Sequence, residues 1–421
     1  MLKIFYNFLI ILFYIPYIFL IFFRRFIKKE HDKKYKEKIF ISNFKRPEGF
    51  LFWFHVASIG EFKSILPIID FYLKQNIKNN FLITTVTLSS FNELKKKYGS
   101  NNRVYHQFLP YDFKFLINNF FKNWRPDIIS FVDSEIWPNF ISKINKEKIP
   151  FILLNARITK KSFLRWNILG KLSDEIFKSF SLCISSSKNT ADYLKILGAQ
   201  NIKFFGNIKF CSVIKDNTDE TEQFKSIVNK KTWCALSTHA NEEHFCGKVH
   251  SIIKKSEKEI LTIIIPRHVH RIEKIFSILK DFGFKVQIKN ENDSIDNTAD
   301  IVLVNYYGAV LKYLKYFKQI FIGKSILKKF EDTGGQNPID AVKMGCYIYH
   351  GPYVYNFKEI YQYLDESRLS EEIKGPESLA NSLVKNFKVD LQSNSEQIKK
   401  LDIYSNKIFD NVINEYNKFI K

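Results

Sequence analysis

Hydrophobic and polar positions along this chain alternate between short apolar runs and longer amphipathic stretches. Short apolar runs bounded by turn residues predict buried strands, whereas apolar residues three and four positions apart predict helices. In the first half, the predicted strands are 50–56, 81–87, 104–108, 128–132, 151–155, 182–185 and 202–205. Amphipathic stretches between most of them predict helices, among them 89–98, 135–145 and 188–197.

The second half repeats the alternation after a polar stretch at 215–231. Its predicted strands are 233–236, 261–265, 285–288, 301–304, 319–322 and 347–350. Strands that alternate with helices predict an α/β fold with parallel, doubly wound sheets and ligand sites at the carboxyl ends of the strands. We predict two Rossmann-like domains that face each other across a cleft. Their ranges are 31–206 and 207–392, followed by a C-terminal helix at 393–421.

The N-terminus carries an apolar run at 4–23 that contains no charged residue. A run of this length can cross the hydrocarbon core of a bilayer as a helix. The cations that follow at once are Arg24, Arg25, Lys28 and Lys29, whereas Lys3 alone precedes the run. By the positive-inside rule, we predict that residues 1–30 form an uncleaved membrane anchor with the body in the cytoplasm. A helix lying in the membrane interface is the alternative. A cleaved signal peptide fits less well, because Phe-Arg-Arg follows the run where small residues are expected.

Composition adds a strong positive charge to this picture. The net charge is +22 at pH 7, which suits nucleic acid, an anionic membrane surface or a phosphorylated substrate. Lysine is spread along the whole chain, and no arginine-rich helix, zinc-ligand spacing or RNP-like aromatic motif accompanies it. We therefore predict no nucleic-acid partner.

Four loops of the second half carry polar and small residues directly after predicted strands or before a predicted helix. These loops are 237–243, 266–268, 323–325 and 332–338. Arg267 and His268 can donate charge-assisted hydrogen bonds to a phosphate. The pair Gly334 and Gly335 precedes a helix start, where backbone N–H groups suit an anion. Asp340 could accept hydrogen bonds from ribose hydroxyls. Together, the loops predict a nucleotide-sugar site.

In the first half, the notable residue is Glu61, in the first turn of a helix that directly follows the strand 50–56. A carboxylate at this place could take a proton from a substrate hydroxyl. It could equally be an ordinary carboxylate that stabilises the positive end of the helix dipole. The residues alone leave both interpretations open.

At this point the ordered motifs resemble those of the 3-deoxy-D-manno-octulosonic acid (Kdo) transferases, which are inverting glycosyltransferases of the GT-B fold. The matching stretches are WFH at 53–55, ASIGE at 57–61, SEIWPN at 134–139, LNAR at 154–157, KSF at 161–163, GNIKF at 206–210, STH at 237–239, PRH at 266–268, GGQNP at 334–338, GP at 351–352 and NF at 356–357. They follow the family's order through most of the chain after the N-terminal run.

The resemblance implies transfer of Kdo from CMP-Kdo to a sugar hydroxyl of the lipid A precursor lipid IVA, with Glu61 as general base. It also implies that Glu135 and Arg157 support the acceptor or the transition state, although a capping carboxylate and a salt-bridge partner are their alternatives. The implied donor-binding residues are Arg267, His268, Ser325, Gly334, Gly335, Gln336, Asn337 and Asp340. No metal or cofactor is expected, since a nucleoside monophosphate is a leaving group of modest charge and no D-x-D motif is evident.

Three positions depart from the family pattern. The family often has glutamate where Ala240 stands, glycine where Lys324 stands and glutamate where Asp340 stands.

Two other functions compete with the implied one. A different membrane-associated GT-B enzyme would use another nucleotide sugar, and a non-enzymatic basic protein would bind a membrane or nucleic acid.

Overall fold

The computed structural model describes residues 2–212, 224, 227, 230–388 and 395–420. The chain divides into two compact units: unit 1 comprises Met1–Val213 with Tyr404–Lys421, and unit 2 comprises Ile214–Ile403. The predicted ranges differ from this division, because 207–213 and the end of the chain belong to unit 1. Most of the polar stretch 215–231, and residues 393–394 and 421 of the predicted final helix, lie outside the described residues.

Within its described residues, unit 1 contains a seven-stranded sheet. The strands are β1 (Phe50–Val56), β2 (Asn79–Thr85), β3 (Val104–Phe108), β4 (Ile128–Val132), β5 (Phe151–Ala156), β6 (Leu182–Ser185) and β7 (Ile202–Phe204). The helices are α1 (Leu2–Phe26), α2 (Ile59–Gln75), α3 (Leu88–Tyr98), α4 (Lys114–Trp124), α5 (Pro138–Glu147), α6 (Lys160–Ile168), α7 (Lys171–Lys178) and α8 (Lys188–Ile196). All neighbouring strands are parallel, in the order β3-β2-β1-β4-β5-β6-β7.

Strand β1 shows why the sheet forms. Apart from His55, its residues are apolar on both faces, as expected for a parallel strand covered by helices on each side. The Trp53 ring lies 4.7 Å from the Phe120 ring and 5.3 Å from the Phe131 ring, measured between centroids. Each large side chain buried in this way stabilises the fold by about 1.5–3 kcal/mol.

The described part of unit 2 contains a second seven-stranded parallel sheet. Its strands are β8 (Thr232–Thr238), β9 (Leu261–Pro266), β10 (Val286–Lys289), β11 (Ile301–Val304), β12 (Gln319–Ile322), β13 (Tyr347–His350) and β14 (Ser370–Glu372), in the order β10-β11-β9-β8-β12-β13-β14. The helices are α9 (Glu242–Lys254), α10 (Ile272–Lys280), α11 (Val310–Leu314), α12 (Ile339–Lys343), α13 (Lys358–Glu366) and α14 (Pro376–Asn386). The predicted α/β class with doubly wound sheets is confirmed.

Every strand predicted from the sequence is present, with ends that shift by a few residues. Strand β14 was not predicted, because three residues reading Ser-Glu-Glu carry no apolar signal. The helix predicted at 135–145 begins instead at Pro138, since proline is favoured in the first turn of a helix and has no N–H to pair. Glu135 consequently lies in a loop.

The final helix, α15, runs from Ser395 to Asn417. From Tyr404 onward it belongs to unit 1, where the Ser405 hydroxyl donates to the Phe210 carbonyl at 3.0 Å. The Tyr416 hydroxyl lies 2.7 Å from the Ser130 hydroxyl of β4. These contacts explain why the end of the chain does not form a separate domain.

Candidate functional site

In unit 1, the strands β1, β4 and β5 are neighbours and end at one edge of the sheet. Glu61 lies in the first turn of the helix that follows β1, and Glu135 and Arg157 lie in the loops after β4 and β5, so the topology brings the three predicted residues to the same edge. Strands β1 and β4 are adjacent although the chain visits β2 and β3 between them. Such a switch in strand order is where doubly wound sheets bind ligands.

The carboxylate of Glu61 is held at the start of α2. The Ala57 N–H donates to its Oε2 at 2.7 Å, and the Ser58 hydroxyl donates to its Oε1 at 2.8 Å. In return, the Ser58 oxygen accepts from the Glu61 N–H at 3.3 Å. Ser58 is therefore the N-cap of α2, and the Glu61 carboxylate reaches back to Ala57 and Ser58, which precede the helix. These contacts support the interpretation of Glu61 as a carboxylate that stabilises the start of α2, and they leave a function in catalysis open to test.

Electrostatically, Glu61 is not an ordinary capping residue. Its pKa is raised to about 7, first by burial and then by the nearby charges of Asp133 and Glu135, while the bonds from Ala57 and Ser58 act in the opposite direction. A carboxylate with a pKa near neutrality can accept a proton and hold it, which general-base catalysis requires.

Glu135 has the opposite character. Its Oε2 accepts from His55 Nε2 at 3.2 Å and from Trp137 Nε1 at 2.9 Å. Burial alone would raise the pKa of Glu135, but the bonds and charge supplied by His55, together with the Trp137 bond, outweigh burial and lower it. His55 is fully buried, with its Nδ1 3.0 Å from the Thr84 hydroxyl. Two neighbouring carboxyl groups with pKa values pushed apart are typical of a site that divides acid–base and anionic roles.

The sequence interpretation missed Asp133, which directly follows β4 with a φ of +59°. It accepts from Asn155 Nδ2 at 2.6 Å and from the Lys209 ammonium at 2.9 Å. Asn155 in turn accepts from the Ile208 N–H at 3.0 Å. Asp133 thus joins two of the matched motifs and contributes negative charge to the surroundings of Glu61. Its position at a strand end, beside Ser134-Glu135, was the signal available in the sequence.

We expect Asp133→Asn to move the acidic limb of the activity profile to lower pH. If ionised Glu61 is required, kcat/KM should rise with pH up to about 7 and then level off, since the carboxylate becomes available only above its pKa. Removing the charge of Asp133 favours ionisation of Glu61, so the limb should shift downward by on the order of one pH unit. Asparagine tolerates positive φ, which keeps the backbone. An unchanged limb measured by pH-dependent kinetics would contradict this coupling.

Arg157 follows β5 and is half-buried. Its backbone N–H donates to the Asp133 carbonyl at 3.1 Å, which fixes the loop after β5 to the loop after β4. The structure therefore brings the backbone of Arg157 next to Asp133, while the part of its side chain in catalysis stays a prediction.

In unit 2, the loops after β8, β9 and β12 bring four basic or imidazole side chains to one edge of the sheet: His239, Arg267, His268 and Lys324. The ring centroids of His239 and His268 are 5.6 Å apart. Burial, then the charges of Lys324, His268 and Arg267, lower the pKa of His239 to about 4. Burial and Arg267 likewise lower the pKa of Lys324. The grouping of these side chains at one edge concentrates positive charge, which suits an anionic ligand.

Two buried carboxylates hold these loops. Glu242 accepts four backbone N–H groups, from His239 at 2.9 Å, Lys324 at 2.7 Å, Ser325 at 3.0 Å and Ile326 at 3.4 Å. Burial raises the pKa of Glu242 despite these four donors. Glu243 forms a bidentate ion pair with Arg271 at 2.9 and 3.0 Å. The sequence interpretation assigned no function to either glutamate.

Glu242→Gln should lower the free energy of unfolding of unit 2 by about 2–4 kcal/mol, because an amide presents donors to N–H groups that need an acceptor in a buried site. Denaturant titration of the purified protein measures the loss. The matched control is Glu366→Gln on the exposed side of α13, which should change stability by less than about 0.5 kcal/mol. Equal stability of the two variants would contradict the loop-holding function of Glu242.

The glycine pair differs from expectation. The Gly334 N–H donates to the Phe330 carbonyl at 2.6 Å and the Gly335 N–H donates to the Lys324 carbonyl at 2.8 Å. The prediction that this pair exposes its N–H groups to an anion was therefore wrong. A Cβ on Gly334 would lie 1.9 Å from the Tyr353 carbonyl oxygen, and Gly335 has a φ of +89°. Glycine is required here for close packing and backbone conformation.

The other predicted donor residues occupy different environments. Ser325 is buried, and its hydroxyl donates to the Ile322 carbonyl at 2.6 Å and accepts from the Gly351 N–H at 3.0 Å. Gln336 Nε2 lies 3.4 Å from His239 Nε2. Asn337 is exposed and caps the N–H of Ile339 at 3.1 Å. Asp340 is half-buried in the first turn of α12. Of these four residues, Gln336 lies directly beside His239.

Lys324 stands in the left-handed region with a φ of +60°, which explains why glycine suits this position in the family pattern. Lys324→Gly should raise stability by up to about 1 kcal/mol and weaken donor binding severalfold. Lys324→Ala separates the two effects, because it removes the charge but keeps the strained backbone. Thermal unfolding and the KM of the donor are the measurements. A normal KM in both variants would show that the ammonium does not contact the donor.

Among the described residues, no three histidine, cysteine, aspartate or glutamate side chains are grouped so that they could hold a metal ion. The five cysteines are buried.

Sequence relatives show which family the chain belongs to. The family model described as 3-Deoxy-D-manno-octulosonic-acid transferase (kdotransferase) matches residues 12–212. A 3-deoxy-D-manno-octulosonic acid transferase of Rickettsia bellii is 30% identical over 380 residues, which cover 90% of this chain and 89% of that protein. A probable mitochondrial 3-deoxy-D-manno-octulosonic acid transferase of Arabidopsis thaliana is 29% identical over 354 residues, covering 82% of this chain and 78% of that protein.

Solved structures agree on the fold. The UDP-GlcNAc 2-epimerase of Neisseria meningitidis bound to UDP-GlcNAc has a TM-score of 0.58 at 10% identity, covering 87% of this chain and all of that one (100%). A glycosyltransferase of Rickettsia africae has a TM-score of 0.56 at 13% identity, covering 89% and 99%. The two parallel sheets and these neighbours confirm the GT-B fold class. With a 30% identical relative along nine tenths of its length, the chain belongs to the 3-deoxy-D-manno-octulosonic acid transferase family and is a glycosyltransferase.

Proposed function

We propose that this glycosyltransferase moves Kdo from CMP-Kdo to a sugar hydroxyl of lipid IVA, with inversion and with Glu61 as general base. The observation that carries the proposal is the pair Glu61 and Glu135 at adjacent strand ends, one with a raised and one with a lowered pKa. Membership in the family supports the donor and the acceptor.

In the proposed reaction, the acceptor oxygen attacks the anomeric carbon from the face opposite the leaving group. As the new C–O bond forms, the hydroxyl proton passes to the Glu61 carboxylate. The bond between the anomeric carbon and the phosphate oxygen breaks, and its electron pair leaves with CMP. Because the pKa of Glu61 is about 7, about half of this carboxyl group is ionised and available as a base at neutral pH, and it can later release the proton to solvent.

The positive loops of unit 2 support a binding site for the anionic donor. Arg267 and Lys324 would stabilise charge that develops on the CMP phosphate, while neutral His239 could donate one hydrogen bond. Gln336, Asn337 and Asp340 would contact the nucleotide, with Asp340 on the ribose. We propose that these groups suffice without a metal ion or cofactor.

For location, we propose the cytoplasmic face of the inner membrane, where the apolar helix α1 would hold the protein. Residues 4–26 have a mean hydropathy of 2.3 in their most apolar window, and 6% of that window is buried. The basic residues after this helix would face anionic lipid on the same side as the body.

The test is transfer by the purified full-length protein from CMP-Kdo to lipid IVA, read by mass spectrometry in a buffer that contains EDTA. The expected product is heavier than the acceptor by one or more Kdo residues, and the mass counts them. A folded protein that transfers sugar from another nucleotide sugar but not from CMP-Kdo would favour the alternative GT-B enzyme. Activity that disappears in EDTA and returns with a divalent ion would contradict the metal-free mechanism.

A further inference from the structure

Helix α1 packs lengthwise on the rest of unit 1. The Tyr6 hydroxyl donates to Asp112 Oδ2 at 2.7 Å, and the Tyr17 ring stacks on the Tyr111 ring at 4.5 Å between centroids. Tyr14 donates to the Ile39 carbonyl. Near the end of the helix, Ile21 is 2% exposed in a small cluster with Ile39. Residues 6, 14, 17 and 21 share one helical face, so the contact is a continuous seam.

The length of this seam bears on how the helix meets a membrane. From Tyr6 to Ile21 the helix rises about 22 Å, at about 1.5 Å per residue. The hydrocarbon core of a bilayer is about 30 Å thick. If α1 crossed the core, residues 111–113 and the carboxylate of Asp112 would have to enter hydrocarbon to keep their contacts. Charged groups and irregular backbone exposed to lipid are strongly disfavoured there. The seam and a membrane-spanning helix therefore exclude each other.

The opposite face of α1 is apolar and exposed. Its side chains include Ile4, Phe8, Ile15, Phe19, Phe23 and Phe26, each at least 60% exposed. Such a face is larger than soluble proteins normally leave in water. Arg25, Lys28 and Lys29 are exposed at the end of the helix and complement anionic headgroups.

We propose that α1 is an in-plane anchor, which lies in the interface of an anionic bilayer with its phenylalanine-rich face in lipid and its tyrosine face on unit 1. The N-terminus and the catalytic body then lie on the same side of the membrane. This inference rests on the packing of α1 and holds whichever nucleotide sugar the enzyme uses.

The anchor is also connected to the candidate site. Asp112, which accepts the Tyr6 hydroxyl, accepts the backbone N–H groups of Asn139 and Phe140 at 3.0 Å each. These residues begin α5, directly after the loop that carries Glu135. A lipid-bound α1 therefore fixes the Glu135 loop relative to the membrane surface, from which a lipid acceptor would be presented.

Cross-linking in vesicles tests the seam. Full-length protein with Tyr17→Cys and Tyr111→Cys is bound to vesicles of phosphatidylethanolamine and phosphatidylglycerol and treated with a short bifunctional maleimide. The matched control pairs Phe19→Cys, on the exposed face, with Tyr111→Cys; the native cysteines are buried. We expect at least tenfold more intramolecular cross-link in the first pair. Cross-linking that occurs in detergent but vanishes in vesicles would overturn the proposal.

Topology gives an independent readout that does not depend on the seam residues. A cysteine inserted after Met1 and the variant Lys421→Cys are labelled with a membrane-impermeant maleimide in intact and inverted membrane vesicles. An in-plane helix leaves both positions reactive from the same side. Reactivity of the two positions from opposite sides would show that α1 spans the bilayer.

Discussion

Sugar transfer by Glu61→Gln is expected to be about 10²–10⁴ times slower than transfer by the unchanged protein, because an amide cannot take the acceptor proton. The loss should appear in kcat, whereas the KM of CMP-Kdo should change little, since Glu61 belongs to unit 1 and the cationic loops to unit 2. Glutamine keeps the size of the side chain and can still accept from Ala57, so the protein should fold. Steady-state kinetics with mass-spectrometric product detection measure the effect. The variant should also lack the rise of activity with pH toward 7.

Ser58→Ala is the matched control, because it removes the N-cap and keeps the carboxylate. It should cost about 1 kcal/mol of stability and leave turnover within a few fold of normal. If Glu61 were only a capping residue, the two variants would behave alike, with a modest loss of stability and near-normal transfer. That pattern would require a different base.

Glu61 shows which features of the site can be predicted from the local sequence and which cannot. A strand that ends in small residues and restarts with helical spacing is a local signal, so the helix-start position of Glu61 was predictable. The raised pKa of Glu61 depends on burial and then on the charge of Asp133, more than seventy residues away and brought near by the pairing of β1 with β4. No periodicity in either segment encodes that proximity.

Unit 2 makes the same point with hydrogen bonds. The motif around Gly334 and Gly335 correctly indicated an unusual backbone conformation. It did not indicate which groups the backbone N–H donors bind. Its N–H groups pair with Phe330 and Lys324, and the acceptor of the second bond lies on a different strand-end loop. A sequence shows that a backbone donor exists, whereas only the folded chain shows whether another carbonyl has already taken it. Glu242 was overlooked for the converse reason, since its importance lies in distant backbone groups.

The second large effect is expected at Arg267, the exposed cation that directly follows β9. Its backbone N–H donates to the Thr238 carbonyl at 3.0 Å, which fixes the residue beside the loop that carries His239. A guanidinium can bind a phosphate or carboxylate with two parallel hydrogen bonds. Arg267→Ala should lower kcat/KM for CMP-Kdo by about 10–150-fold, corresponding to roughly 1.5–3 kcal/mol for hydrogen bonds to a charged group.

Two comparisons make the Arg267 result specific. Lys385→Ala removes the same unit charge from the last turn of α14 and should leave kcat/KM nearly unchanged, which excludes a general effect of net charge. Arg267→Lys keeps the charge without the planar fork and should recover only part of the loss. The KM of the unchanged enzyme should rise with ionic strength, and this salt dependence should be weaker in Arg267→Ala, since screening acts on the interaction that the substitution removes. Full recovery of kcat/KM in Arg267→Lys would show that Arg267 acts through long-range attraction alone. Normal kinetics in Arg267→Ala would place the donor anion elsewhere in unit 2.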